Sequence, residues 1–229
     1  MAFFDSEGDR RMQRQNEPAW RALIQAVADA KQSLPRHEWN VLDWGCHTGG
    51  LLSLLSSREY SFPHLTLFGV EPDEKARLDA EGRLRSHNLK MLWSDLESTP
   101  DMFFNVVVSH EVLYLVELDW FFKKLRSKML KGGAAFVALG SHTGNSAWMR
   151  WREVLRERYG HISYAHDPWE IVEKGHKAGF TVSYRELWPA GYPDTNWYSP
   201  PQDGWGEFTS MEEVLAFRRA KLLFQFWPR

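Results

Sequence analysis

Cysteine is nearly absent: Cys46 is the single one, which excludes an intramolecular disulfide and any zinc site built on several thiolates. That usage fits a reducing cytoplasm, where the protein is expected to reside. Long apolar runs are missing too. The longest, Ala134 to Leu139, is far short of a membrane span, and the start Met1-Ala-Phe-Phe-Asp has neither a basic leader nor an extended apolar stretch. Neither a membrane anchor nor a secretory signal is therefore expected. The charge balance has little bias, with a net charge of −2, so nothing in it supports a polyanion-binding surface or a nucleic-acid partner. No internal repeat or low-complexity segment is visible.

What the chain has is a globular composition: 229 residues, 43% hydrophobic and 25% charged. The length favours one domain over two. Tryptophan is the excess, at 12 residues within a 14% aromatic content, more than packing needs, so some of these rings are expected to line a pocket or a lid.

Short β-branched runs alternate with helical patterns, which predicts one α/β domain. Asn16 as N-cap and Pro18 in the first turn predict an opening helix with Trp20, Leu23, Ile24 and Val27 on its buried face, ending before Pro35. Strands are predicted at Val41–Trp44, Leu65–Val70, Lys90–Trp93, Asn105–Val108 and Ala134–Leu139. Helices are expected through Leu51 to Leu55, over Asp73 to about Arg85, and from Leu118 through Met129 to a stop at Gly132-Gly133. Further on, Ser146–Tyr159 and Pro168–Ala178 read as helices and Thr181–Leu187 as a sixth strand. Ser210-Met-Glu-Glu213 matches a capping box, and Leu222–Phe226 reads as a last strand. Strands joined by helices imply right-handed crossovers and a parallel sheet.

In such a sheet the ligand sits beyond the carboxyl ends of the strands, and the turn after the first strand offers backbone N–H groups. Here that turn is Gly45-Cys-His-Thr-Gly49. A dinucleotide fingerprint starting at Gly45 requires glycine at position 47, where this chain has His47, so a nicotinamide or flavin site is disfavoured. A nucleoside without a diphosphate is still accommodated. Glu71, ending the second strand, is placed to accept from both ribose hydroxyls, and Asp95, ending the third, from an exocyclic adenine amine.

These residues carry a resemblance. Val41-Leu-Asp-Trp-Gly-Cys-His-Thr-Gly49 resembles the first motif of the Rossmann-like (class I) S-adenosylmethionine-dependent methyltransferases, usually V-L-D-x-G-C-G-T-G. Val70-Glu-Pro-Asp73, Ser94-Asp95-Leu96 and Asn105-Val-Val-Val-Ser-His-Glu-Val-Leu113 resemble the next three. Lys131-Gly-Gly and Ala178-Gly-Phe-Thr-Val182 resemble the later ones. The match spans roughly residues 35–187. It implies a mostly parallel seven-stranded sheet with helices on both faces and the last strand antiparallel, and S-adenosyl-L-methionine as methyl donor. The residues it places around the donor are Asp43, Gly45, Cys46, His47, Gly49, Glu71, Pro72, Asp95, Leu96 and His110. Two departures stand out: His47 in place of the central glycine, and Leu115 where many relatives carry a histidine.

The division expected is a single domain with a helical cap at 1–34, a cofactor-binding core at 35–187, an insertion or lid at 188–210, and a final helix and strand at 211–229. The activity implied is methyl transfer to a small-molecule acceptor, a natural-product intermediate among the candidates, with a non-catalytic binding or scaffold subunit as the alternative and an oxidoreductase a distant third. Oligomeric state stays open. His110 and His142 follow strand ends and are candidate general bases, against donor-contacting or loop-structuring roles. Tyr114, Trp188, Trp197 and Tyr198 are candidate acceptor contacts, the last three within an aromatic, proline-rich stretch from Trp188 to Phe208. Cys46 is expected to be inert. His161, His166 and Asp167 read as a polar loop more readily than as a metal site, and no metal is expected. The arginines of 150–158 alternate with Glu153 and Glu157 and read as a solvated helix face.

Overall fold

The computed structural model describes residues 6–34, 38–60, 62, 64–160, 163–187 and 211–229. In chain order the elements are α1 (Ser6–Asp29), β1 (Trp39–Trp44), α2 (Gly50–Leu55), β2 (Leu65–Val70), α3 (Glu74–Arg83), β3 (Leu89–Trp93), β4 (Phe104–His110), α4 (Leu118–Lys128), β5 (Met129–Leu139), α5 (Ser146–Tyr159), α6 (Pro168–Lys177), β6 (Phe180–Glu186), α7 (Met211–Arg219) and β7 (Leu222–Pro228). The seven strands form one sheet in the order β3-β2-β1-β4-β5-β7-β6. The pairs from β3 across to β5 are parallel, and β7 runs antiparallel to both β5 and β6.

Helices cover both faces, which is why the central strands are apolar almost throughout; six of the seven residues of β4 are buried. Alternation along β4 divides the core. Val106 and Val108 face the helices α1 and α2 with Leu23, Ile24, Leu51 and Leu52, while Val107 faces α4 and α6 with Phe121, Phe122 and Ile171. The chain runs outward from β1 to β3 and then returns to the other side of β1 as β4. This reversal opens a crevice at the carboxyl ends of β1 and β4, where the turns that follow diverge.

Two expectations need correction. The opening helix starts at Ser6, so Asn16 is not its N-cap and Pro18 lies inside it. An interior proline costs about 3 kcal/mol or more, and the seat of α1 offsets it: Ala19, Leu23, Ile24, Ala26 and Val27 are all buried to 2% exposure or less. The helix after β4 ends at Lys128 and not at Gly132-Gly133, because Met102 and Phe103 N–H groups donate to the Ser127 and Lys128 carbonyls and draw the chain into the sheet. Met129 thus opens β5, and the glycine pair sits inside that strand near its register shift against β4. The other boundaries coincide or differ by one or two residues. Ser210 of the capping box lies outside the described residues. Among the described residues no helix is long and apolar enough to cross a membrane.

Candidate cofactor and acceptor site

The turn after β1 is shaped by backbone bonds. Gly45 and Cys46 N–H groups both donate to the Val70 carbonyl, at 2.9 and 3.0 Å, and Gly49 N–H donates to Cys46 at 2.8 Å. Gly45 has φ +83°, and a Cβ there would lie 2.2 Å from Val112 Cγ2, so both conformation and space require glycine. His47 also takes the left-handed region, at φ 46°. The backbone at the position of the missing glycine therefore keeps a glycine-like conformation, at a cost of the order of 1 kcal/mol. Its N–H donates to Glu71 Oε2 at 2.9 Å, and its Nδ1 is buried without a hydrogen-bond partner.

Glu71 is buried at the end of β2, and its other oxygen accepts the Asp73 N–H at 2.9 Å. Each carboxylate oxygen has further acceptor capacity. Pro72 is exposed beside it. Asp43 is 2% exposed in β1, and burial, with the Glu71 charge adding, pushes its carboxyl up to about 8. It is therefore protonated at neutral pH and able to donate. Cys46 is buried, its thiol pushed up by burial and by the charges of Asp43 and Glu71, which suits the inert reading.

The exposed Asp95 carboxylate is turned to its own loop: it accepts Ser98 N–H at 2.7 Å, Ser98 Oγ at 2.8 Å and Ser94 Oγ at 3.0 Å. These bonds fold the carboxylate onto the loop that follows β3. Leu96 buries its side chain in the core.

At the end of β4, His110 meets residues that the sequence did not single out for this place. Trp20 Nε1 of α1 donates to its Nδ1 at 3.3 Å, and Lys221 Nζ, from the turn before β7, stands 3.3 Å from its Nε2. Burial, with Lys221 and Arg218 adding, pushes the imidazole down to about 3, so it is neutral at physiological pH. Glu111 follows with φ 55° and binds the Gly140 N–H at 2.8 Å, Ser141 Oγ at 2.9 Å and the Lys221 ammonium. Tyr114, in the short turn Leu113–Leu115, packs edge-on against Trp148 at 4.9 Å. Burial raises its phenol well above the usual range.

His142 does not join this group through its ring. Its Nε2 bonds the Ala220 carbonyl at 2.7 Å, and its loop is closed by the Asn145 N–H, which donates to the His142 carbonyl at 3.0 Å. His166 spends Nε2 on the Leu113 and Val116 carbonyls, and Asp167 caps α6. Among the described residues no three His, Cys, Asp or Glu side chains gather as a metal site. His161, Trp188, Trp197 and Tyr198 lie outside the described residues. The signal for Glu111 was present as Ser-His-Glu in the fourth motif, but its pairing with Lys221, 110 positions away, has no local trace.

A family model described as "Methyltransferase domain" matches residues 12–184. No curated protein matches the chain. Among solved structures, the complex of the Haloferax volcanii Trm112 methyltransferase activator with a putative methyltransferase contains a chain of similar fold, at TM-score 0.69 and 16% identity over 98% of both chains. An S-adenosylmethionine-dependent methyltransferase from Mesorhizobium loti is similar at TM-score 0.64 and 18% identity, covering 93% of this chain and 97% of that one. Geranyl diphosphate C-methyltransferase from Streptomyces coelicolor A3(2), crystallised with S-adenosyl-L-homocysteine, follows at TM-score 0.61 and 14% identity, covering 88% and 75%.

Proposed function

The chain belongs to the methyltransferase-domain family, and from that premise we propose that it transfers a methyl group from S-adenosylmethionine to a small-molecule acceptor at the carboxyl end of the sheet. The cofactor is S-adenosylmethionine, which when bound supplies an electrophilic methyl on a sulfonium. The observation that carries the reading is Glu71: a buried carboxylate at the end of β2, tied by one N–H on each oxygen to the glycine turn and to Asp73, with acceptor capacity left for a ribose diol. Gly45, Cys46, His47 and Gly49 bound the turn, the protonated Asp43 supports it from below, and Pro72 flanks it. Asp95 and Leu96 border the adenine side, Asp95 after turning from its Ser98 bonds.

The chain's own contribution is alignment of the acceptor with the methyl carbon, worth up to several kcal/mol of barrier. His110 is neutral, but its Nδ1 faces Trp20 and its Nε2 faces Lys221, so the reading assigns it a place beside the donor and no base role. Tyr114 and the segment that carries Trp188, Trp197 and Tyr198 are assigned to the acceptor.

Calorimetry tests this. S-adenosylhomocysteine is expected to bind and NAD not to; Glu71→Ala is expected to weaken that binding by about 1–3 kcal/mol while the fold survives. NAD binding without S-adenosylhomocysteine binding overturns the reading.

A second reading, a subunit that works through a protein partner, has one observation in its favour. The β3–β4 connection carries no helix, which leaves an open groove of about 490 Å³ beside the edge strand, lined by Phe68, Met91, Trp93 and Phe103 among others. The Haloferax volcanii protein of similar fold was crystallised with an activator. Donor binding with no product across a broad acceptor panel, reversed by a co-purifying protein, would favour this reading.

A further inference from the structure

The ring of His110 stands between two groups that can only donate: the indole N–H of Trp20 at Nδ1 and the Lys221 ammonium at Nε2, each at 3.3 Å. A neutral imidazole has one acceptor nitrogen, so it cannot satisfy both. One arrangement resolves the conflict. If Lys221 is a neutral amine, Nε2–H donates to its lone pair, Lys221 N–H donates to Glu111, and Nδ1 is free to accept from Trp20. Adding one proton to Lys221 reverses the order: the ammonium donates to Nε2 as well as to Glu111, the imidazole proton moves to Nδ1, and it meets the indole N–H head to head.

We propose that Trp20 is a positioning residue for the donor turn, and that its hold is set by one proton shared along His110, Lys221 and Glu111. Trp20 reaches the turn directly. Its ring lies against Gly50, the first residue of α2, where an added Cβ would come within 2.6 Å of it. One helical stretch earlier, Gln13 donates to Thr48 Oγ1 at 2.6 Å. Helix α1 is thereby fastened to both ends of the Thr48–Gly50 segment and, through Trp20, to the end of β4. The structure supports a mobile proton here. Burial lowers the Lys221 ammonium below its ordinary range against the pull of Glu111, while Lys221 and the Ser141 hydroxyl keep the Glu111 carboxyl low despite burial. Among the described residues, the other titratable groups felt by the cluster are Arg218 of α7, His142 after β5 and Tyr114. The inference rests on the reading that this turn holds the donor, but the latch itself is measurable without any ligand.

The experiment is hydrogen exchange of the α1 amides in the free protein from pH 6 to 10, corrected for the intrinsic pH dependence of exchange. In the parent, protection of α1 is expected to rise with pH while that of β5 stays level. Trp20→Phe loses the N–H together with the Cζ3–Cη2 edge that lies on Gly50, and is expected to leave α1 less protected and, because the N–H is gone, with no pH response. Lys221→Met combined with Glu111→Gln removes the competing donor without leaving a buried charge, and is expected to hold α1 protected at all pH values. A flat profile in the parent, or Trp20→Phe tracking the parent, overturns the proposal, and these two arms suffice if the double variant fails to fold. In a separate titration at high pH, Trp20→Phe is expected to bind S-adenosylhomocysteine about fivefold more weakly, the equivalent of one hydrogen bond at 1.4 kcal/mol per tenfold. A parent that binds no S-adenosylhomocysteine would refute the donor reading and leave the exchange result to judge the latch.

Discussion

Asp43 shows how a single buried acid ties stability to the site. It is paired in register with Gly69 of β2 and Val108 of β4, and its carboxyl is pushed up to about 8 by burial and by Glu71. In the unfolded chain the same group ionises near 3.9. Between about pH 4 and pH 8 the unfolded state is therefore charged at this position and the folded state is not. Stability falls by about 1.4 kcal/mol per pH unit from this group until the folded carboxyl ionises as well. Asp43→Asn is expected to remove that slope, so melting curves at pH 5 and pH 8 should show the variant gaining on the parent as pH rises. Parallel curves would mean that Asp43 titrates at an ordinary value. The position of Asp43 at the end of a strand was legible in the sequence, but its protonation was not, because desolvation depends on what β2 and β4 place around it. Glu111 is a similar case. Its motif was readable, whereas its left-handed backbone and its ion pair with Lys221 come from the junction of β4, β5 and β7.

Helix α1 is the element on which local signals and tertiary structure disagree most. Asn16 followed by Pro18 is a sound helix start by local chemistry, yet the helix continues back to Ser6, because the face of Leu23, Ile24 and Val27 on the sheet anchors it. Propensity places a boundary only where packing does not outvote it. The strands were legible for the opposite reason: β2 was read to the residue and β4 to within two at either end, since buried parallel strands are continuous apolar runs bounded by turn chemistry. The glycine that matters to α1 was invisible, because Gly50 is needed only once Trp20 lies on it. Gly50→Ala is expected to destabilise the protein by about 1–3 kcal/mol through overpacking against that ring. Combined with Trp20→Ala, the two losses are expected to add to clearly less than their sum, as calorimetric or denaturant melts of the four proteins would reveal. Simple additivity would place the strain of Gly50→Ala elsewhere than on Trp20.

The topology of the whole molecule bears on the aromatic segment of residues 188–210, which lies outside the described residues. Strand β7 is antiparallel to both β5 and β6, so β6 runs in the same direction as β5 and delivers the chain at Leu187 to the edge where β1 and β4 also end. The Leu187 N–H donates to the Lys221 carbonyl at 2.8 Å, which ties the exit of β6 to the residue whose side chain meets Glu111 and His110. The segment thus departs from the carboxyl end of the sheet, and under the proposed function its aromatic content suits a flat or apolar acceptor and exclusion of water from the sulfonium. Trp197→Ala with Tyr198→Ala is expected to raise the acceptor KM or lower kcat about tenfold or more while S-adenosylhomocysteine affinity changes by less than about threefold, a split that maps to lost acceptor positioning. Lowered thermal stability with unchanged kinetics per folded molecule would instead make these two rings part of the core. The sequence could name the segment by its prolines and tryptophans, but only the antiparallel return of β7 relates its point of departure to the site.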